Sequence, residues 1–169
     1  FVTDADTLNG FRVRINGRCG NSVFEQDLPA HFISGNHAVW IDQPQLWWPA
    51  GYGEANLYEI SMTLIHNDEE VDTRKERIGL RTFRLERNFE PGKQQFIFHV
   101  NDTPIFAKGT NWVPLDALHS RDKARLHQAH QLCVEAGCNI IRCWGGNVYE
   151  DTEFFDLCDQ TGIMVWQDF

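Results

Sequence analysis

The sequence predicts an α+β chain in two parts: an all-β sandwich, then strands alternating with helices in a parallel sheet. Three observations carry that prediction. Residues 1–86 hold short runs of period-2 alternation between turn residues, with no helical period over a useful length. After Arg87, short apolar runs alternate with segments of helical period. Gly137 and Gly162 stand where two such helices should stop.

Taken in order, Phe11-Arg12-Val13-Arg14-Ile15 alternates apolar and charged residues, and Asn16-Gly17 follows as a hairpin turn signal. Val39-Trp40-Ile41, Tyr58–Ile65 and Arg77–Phe83 continue the alternation, with His66–Glu70 as a polar turn. Strands this short and close predict a small antiparallel β-sandwich. Phe96–Val100, Asn101-Asp102 and Pro104–Ala107 read as a hairpin. Ser120 is the expected N-cap of a helix through Ala136, with Leu126, Ala129, Cys133 and Ala136 on one face. Asn139–Trp144 reads as a strand ended by Gly145-Gly146. A helix over about 150–161 buries Phe154, Phe155, Leu157 and Cys158, and Ile163–Trp166 is the next strand. Short strand–helix–strand connections require parallel strands. The chain opens at Phe1 without Met and stops just after a strand whose edge is uncovered, so it reads as a segment of a longer protein.

Composition narrows the function. With 15 Lys+Arg against 24 Asp+Glu, the net charge of −9 gives no electrostatic route to nucleic acid or an anionic membrane. Apolar runs such as Ile163–Trp166 fall far short of the ~20 residues a membrane span needs. Five cysteines (Cys19, Cys133, Cys138, Cys143, Cys158) form no CxxC pair, and four lie in segments that read as buried. Free buried thiols, no structural zinc and a reducing compartment such as the cytoplasm are the expectation. His99, His119, His127 and His130 show no metal-ligand spacing, and no residue pattern points to an organic cofactor.

In parallel α/β folds, ligands meet the carboxyl ends of strands. That rule selects Asn111-Trp112, Arg142-Cys143-Trp144-Gly145-Gly146 and Trp166-Gln167-Asp168. Aromatics beside charged or amide groups suit a sugar: an indole covers the C–H face of a pyranose while polar groups bind its hydroxyls. Each cluster also has a plainer account. Trp112 and Trp166 could be core. Arg142, in an otherwise apolar strand, requires a carboxylate, either Asp168 in a structural bridge or an acid elsewhere. Trp144 precedes two glycines that would admit a ligand close to the backbone. Glu150 and Asp151 read as first-turn helix acids, and Trp47–Gly53 as a loop that packs or edges a site.

These residues resemble glycoside hydrolase family 2, in its β-mannosidase branch. Leu46–Gly53 resembles the Trp-Trp-Pro-x-Gly-x-Gly loop of the family's sandwich, and Ile78–Arg81 the strand leaving it. Phe96–Pro114 resembles the entry hairpin and first barrel strand. The most specific block is Asn139–Gly146, Tyr149-Glu150, Leu157–Asp159 and Gly162–Phe169, where Trp144-Gly145-Gly146 stands as in β-mannosidases. The resemblance implies an immunoglobulin-like sandwich over residues 1–86. It implies the first three β/α units of a (β/α)8 TIM barrel over 87–169. It further implies a retaining exo-β-mannosidase that releases terminal β-linked mannose from oligosaccharides, using two glutamates past Phe169, so that this segment holds neither and is inactive alone. Arg142 would support the nucleophile; Trp144, Asp168, Asn111 and Trp112 would bind substrate. The implied partners are the oligosaccharide and the remainder of the barrel, with no cofactor or metal. Other family 2 sugars (exo-β-glucosaminidase, β-galactosidase) and a non-catalytic carbohydrate-binding or scaffold protein are the alternatives.

Overall fold

The structure, a computed structural model, describes residues 1–169. The chain folds as two compact units, Phe1–Gln45 with Leu57–Leu80, and Leu46–Asn56 with Arg81–Phe169.

The first unit is built on one antiparallel sheet. Strands β1 (Phe11–Cys19), β2 (Ser22–Pro29), β3 (Tyr58–His66) and β4 (Glu69–Ile78) lie in the order β2-β1-β3-β4. β1 runs straight through Asn16-Gly17, and the chain turns at Gly20-Asn21 instead. The reason lies across the ladder: Gly17 faces Phe24, whose ring would meet any added Cβ at 2.4 Å. Gly17 is therefore a packing glycine, while Gly20, at φ +56°, supplies the turn. The β3–β4 turn falls at Asn67-Asp68, both at positive φ, inside the segment expected to turn. Phe11, Leu28, Tyr58 and Ile65 form the buried face. Tyr58 is wholly buried; its hydroxyl donates to Ser22 Oγ (2.6 Å) and accepts from the Gln45 amide (2.9 Å). β4 is exposed along its whole length and dense in charge, which guards a sheet edge against pairing. Val39-Trp40-Ile41 forms no strand, and Trp40 is exposed; alternation over three residues without a ladder partner does not specify one.

The second unit holds two sheets. β5 (Phe83–Asn88), β6 (Gln95–Val100) and β7 (Thr103–Ile105) are antiparallel, and the 95–105 hairpin turns at Asn101-Asp102 as the sequence suggested. The strand expected over 77–83 is split: β4 ends at Ile78 and β5 begins at Phe83, each in a different sheet. β8 (Gly109–Trp112), β9 (Ile140–Cys143) and β10 (Met164–Gln167) are parallel in the order β10-β9-β8. Helices α1 (Lys123–Glu135) and α2 (Thr152–Thr161) connect them. The fold class is thus as expected, antiparallel β followed by β/α alternation.

The helices explain themselves locally. α1 starts later than Ser120, which sits in a 3₁₀ turn over His119–Arg121, and Asp122 occupies the N-cap. Both helices end in the same device: Gly137 and Gly162 take φ +72°, and the next amide reaches back to Cys133 O (3.0 Å) or Cys158 O (2.9 Å). Leu126, Phe154, Cys158 and Ile163 pack with Trp112, Ile141 and Cys143, flanked by Ala129, Cys133 and Leu157. Ala136 and Phe155, expected on buried faces, are exposed. Full burial of a side chain such as Phe154 contributes about 1.5–3 kcal/mol, which is why a ten-residue helix forms here.

The 46–56 loop packs within this unit. Trp47 is buried; its indole donates to Asp159 O (2.7 Å) and Arg81 lies over its ring. Ala50 N donates to Gly162 O (2.8 Å), and a Cβ at Gly162 would come within 2.7 Å of that nitrogen. Packing is therefore this loop's role here. All five cysteines are free, and burial pushes the Cys143 thiol up to about 11. No helix is long and apolar enough to cross a membrane.

Candidate functional site

The parallel register places Asn111 opposite Arg142 and Arg142 opposite Trp166, with Asp168 two residues further on. Three of the expected site residues meet there. The Arg142 guanidinium grips Asp168 with both arms, Nη2 to Oδ2 at 2.5 Å and Nε to Oδ1 at 3.2 Å, and Nη1 donates to Asn111 Oδ1 at 3.3 Å. This two-pronged fork fixes the plane of the carboxylate. Hydrogen bonding and charge from Arg142 hold the Asp168 carboxyl below its ordinary range, with the Gly145 amide and Trp166 adding to the effect. The Arg142 side chain is 42% exposed, leaving room for a ligand to share it. Of its two candidate partners, Asp168 is the one present.

Trp144 stands on the turn that follows β9 and is about half exposed. Its backbone amide contacts Trp112 O (3.4 Å), its carbonyl accepts from Asn147 N (2.9 Å), and Gly145 N reaches Asp168 Oδ2 (3.4 Å). The space over Gly146 is filled by the indole of Trp144 itself, within 2.4 Å of where a Cβ would sit. The glycine thus admits the protein's own ring rather than a ligand's close approach.

Trp112 is placed differently from the other expected residues. It is only 4% exposed, its ring packs on Phe154 at 5.0 Å, and its indole Nε1 donates to Glu150 Oε1 (2.9 Å). Its plainer account, core, is what the packing shows. Trp166 stacks on Phe96 (5.8 Å) and meets Phe98 edge-on, with part of its ring exposed.

Two residues that sequence reasoning passed over shape this region. Glu150, expected in the first turn of α2, lies ahead of the helix, and Asp151 is the N-cap. Its Oε1 accepts from both Trp112 and Asn147 Nδ2 (3.3 Å). Asn139 is fully buried and bonded at every polar group: its Oδ1 accepts from Lys108 N (2.8 Å), and its Nδ2 donates to Phe106 O (3.0 Å). Its backbone N–H donates to Lys108 O (2.8 Å) and its carbonyl accepts from Met164 N (2.9 Å). The side chain thus ties the entry of β9 to the segment leading into β8, and the backbone carbonyl ties it to the start of β10. The sequence signal for it was its place at the head of the Asn139–Gly146 block.

The four histidines singled out each have a partner: His99 with Glu86, His119 with Asp122, His127 with Glu153, and buried His130 with Thr161. No group of three or more His, Cys, Asp or Glu side chains is arranged to hold a metal ion.

Comparison with known proteins gives the family. The family "Glycosyl hydrolases family 2" matches residues 7–81. Beta-mannosidase B of Thermothelomyces thermophilus is 44% identical over 156 residues, covering 89% of this chain and 18% of the relative. Beta-mannosidase B of Aspergillus fumigatus is 40% identical over 130 residues, 76% of this chain and 15% of the relative. The crystal structure of beta-D-mannosidase from Dictyoglomus thermophilum superposes with TM-score 0.77 at 37% identity, covering 94% of this chain and 20% of that one. Fold and matches together define a chain of the glycoside hydrolase class. It belongs to glycosyl hydrolases family 2 and lies in the β-mannosidase branch. It spans no more than about a fifth of the length of these relatives.

Proposed function

We propose that this chain contributes the substrate-binding wall of a retaining exo-β-mannosidase acting on terminal β-linked mannose of oligosaccharides. The observation that carries the reading is the Asn111–Arg142–Asp168 array at adjacent parallel strand ends, with the half-exposed Trp144 on the same turn as Gly145.

In this reading, residues 87–169 supply the first strands of a (β/α)8 barrel after a sandwich over 1–86, and the rest of the barrel completes the site. The exposed part of the Arg142 guanidinium stabilises a neighbouring nucleophilic carboxylate in its ionised state. Asp168, held ionised by Arg142, accepts hydrogen bonds from sugar hydroxyls or orients the guanidinium; Asn111 does the same with a neutral amide. Trp144 offers an apolar ring to the C–H face of the terminal mannose. Trp112 acts from the core, beneath that wall. Double displacement needs a nucleophile and a general acid about 5–5.5 Å apart. The resemblance to family 2 assigns both catalytic glutamates to later strands, and in this reading the segment alone hydrolyses nothing.

The test is hydrolysis of p-nitrophenyl β-D-mannopyranoside by the full-length protein, beside the β-D-glucosaminide and β-D-galactopyranoside. Preference for the mannoside supports the reading. Preference for either other sugar replaces the substrate, and no turnover of any of them returns the chain to carbohydrate binding.

A further inference from the structure

The turn that carries Trp144 has two carboxylates beside it, and they hold it unequally. Asp168 reaches the turn only through Gly145 N at 3.4 Å, while its Oδ2 is occupied by Arg142 at 2.5 Å. Glu150 is bound more firmly. Its Oε1 takes the Trp112 indole N–H at 2.9 Å and Asn147 Nδ2 at 3.3 Å. Asn147 in turn closes the turn, its N–H on Trp144 O at 2.9 Å and its Oδ1 accepting from Val148 N at 2.8 Å. The Trp112 end of this bridge is buried: that ring lies in the core against Phe154.

We infer that Glu150 is a positioning residue: one carboxylate oxygen, shared between the buried Trp112 and Asn147, sets the turn on which Trp144 stands. This rests on reading Trp144 as a sugar-stacking surface, but the positioning itself does not need turnover. A carboxylate suits the task because a single oxygen with two lone pairs accepts from two N–H donors, and its charge strengthens both bonds. Glu150 stands outside α2 and so does not serve as a first-turn acid. Its place just before the N-cap lets it reach back towards β8.

The experiment uses full-length protein with E150A and E150Q. Hydrogen exchange followed by mass spectrometry is read on peptides covering 144–149 and 139–143, and KM and kcat are read on p-nitrophenyl β-D-mannopyranoside. E150A is expected to speed exchange at 144–149 about tenfold or more, with 139–143 unchanged. It should raise KM about tenfold with a smaller change in kcat, since a displaced stacking surface loses ground-state and transition-state binding alike. E150Q keeps a carbonyl oxygen for both donors and recovers most of both effects. Unchanged exchange at 144–149, equal loosening of both peptides, or E150Q as impaired as E150A would each overturn the inference. If the wild-type protein does not turn over the mannoside, the proposed function fails, and the exchange data still decide whether Glu150 positions the turn.

Discussion

The antiparallel sheet of the first unit and the parallel sheet of the second place their polar side chains in opposite ways. On β1–β4 and their turns the charges pair sideways, Arg12 with Asp68, Arg14 with Asp27 and Arg74 with Glu76, each with at least one partner well exposed. Such pairs are screened by water and salt and fix little. On β8–β10 the polar groups converge along the chain direction. Asn139 is buried at the entry to the strands, and Asn111, Arg142 and Asp168 gather at their carboxyl ends. The lesson is topological. Parallel strands bring like ends together, so a site can be built from three short segments, whereas an antiparallel ladder alternates ends and disperses them.

The largest expected effect breaks the comparison at its centre. Arg142→Ala in the full-length protein should reduce kcat/KM on p-nitrophenyl β-D-mannopyranoside about 10³-fold, by removing preorganised positive charge. Arg14→Ala, its surface counterpart on β1, should leave kcat/KM within a factor of about two. A near-normal Arg142→Ala would make its fork with Asp168 purely structural.

Next comes stability. Asn139→Ala removes the partner of Lys108 N–H and Phe106 C=O and leaves a hole in a fully buried site, and should cost about 1–3 kcal/mol in a denaturant titration. A loss below about 1 kcal/mol would mean that water replaces the amide.

Two glycines give a smaller, matched test. Gly162→Ala forces a positive φ on alanine and brings its Cβ within 2.7 Å of backbone at Ala50, so about 2–3 kcal/mol is expected. Gly17→Ala meets side chains alone, the Phe24 ring, which can swing aside, and Ile60 Cγ1 at 3.3 Å, and should cost about 1 kcal/mol. The reverse order would contradict the packing described for the 46–56 loop.

The smallest effect is pH-dependent. Burial lowers the pKa of His130 in the folded state, so the unfolded chain binds its proton first. Stability linked to this group is therefore present above the ordinary histidine range and lost as pH falls through it. His119 runs the other way, because Asp122, then Asp151 and Glu150, raise its pKa; its contribution is present at low pH and lost on raising it. The two oppose each other, so the readout is a difference: thermal midpoints at pH 7 and pH 5 should fall less in His130→Gln than in wild type. An identical fall in both would show that His130 is protonated in the fold.

How much of this was legible in the sequence follows the same division. β9, β10, α2 and both helix stops were readable because apolar period and C′ glycines act locally, and Gly137 and Gly162 do take the left-handed conformation. Asn111, Arg142 and Asp168 were found by the strand-end rule, and the register brings them together. What escaped depends on partners distant in sequence. Asn16-Gly17 has turn chemistry, but Phe24 across the ladder claims the glycine. Ser120 has cap chemistry, but a 3₁₀ turn precedes the helix and hands the cap to Asp122. Glu150 has first-turn chemistry, but its carboxylate is taken by a tryptophan 38 residues earlier. Trp112 and Trp144 look alike as letters; only packing separates a core indole from an exposed one.

The most direct measurement compares two exposed tryptophans, one on each unit. Steady-state kinetics on p-nitrophenyl β-D-mannopyranoside should show Trp144→Ala losing about 10- to 100-fold in kcat/KM. Trp40→Ala, on the first unit, should lose nothing beyond a factor of about two. A Trp144→Ala enzyme as active as wild type, or a loss that follows Trp40, would contradict the placing of the sugar site at the parallel strand ends.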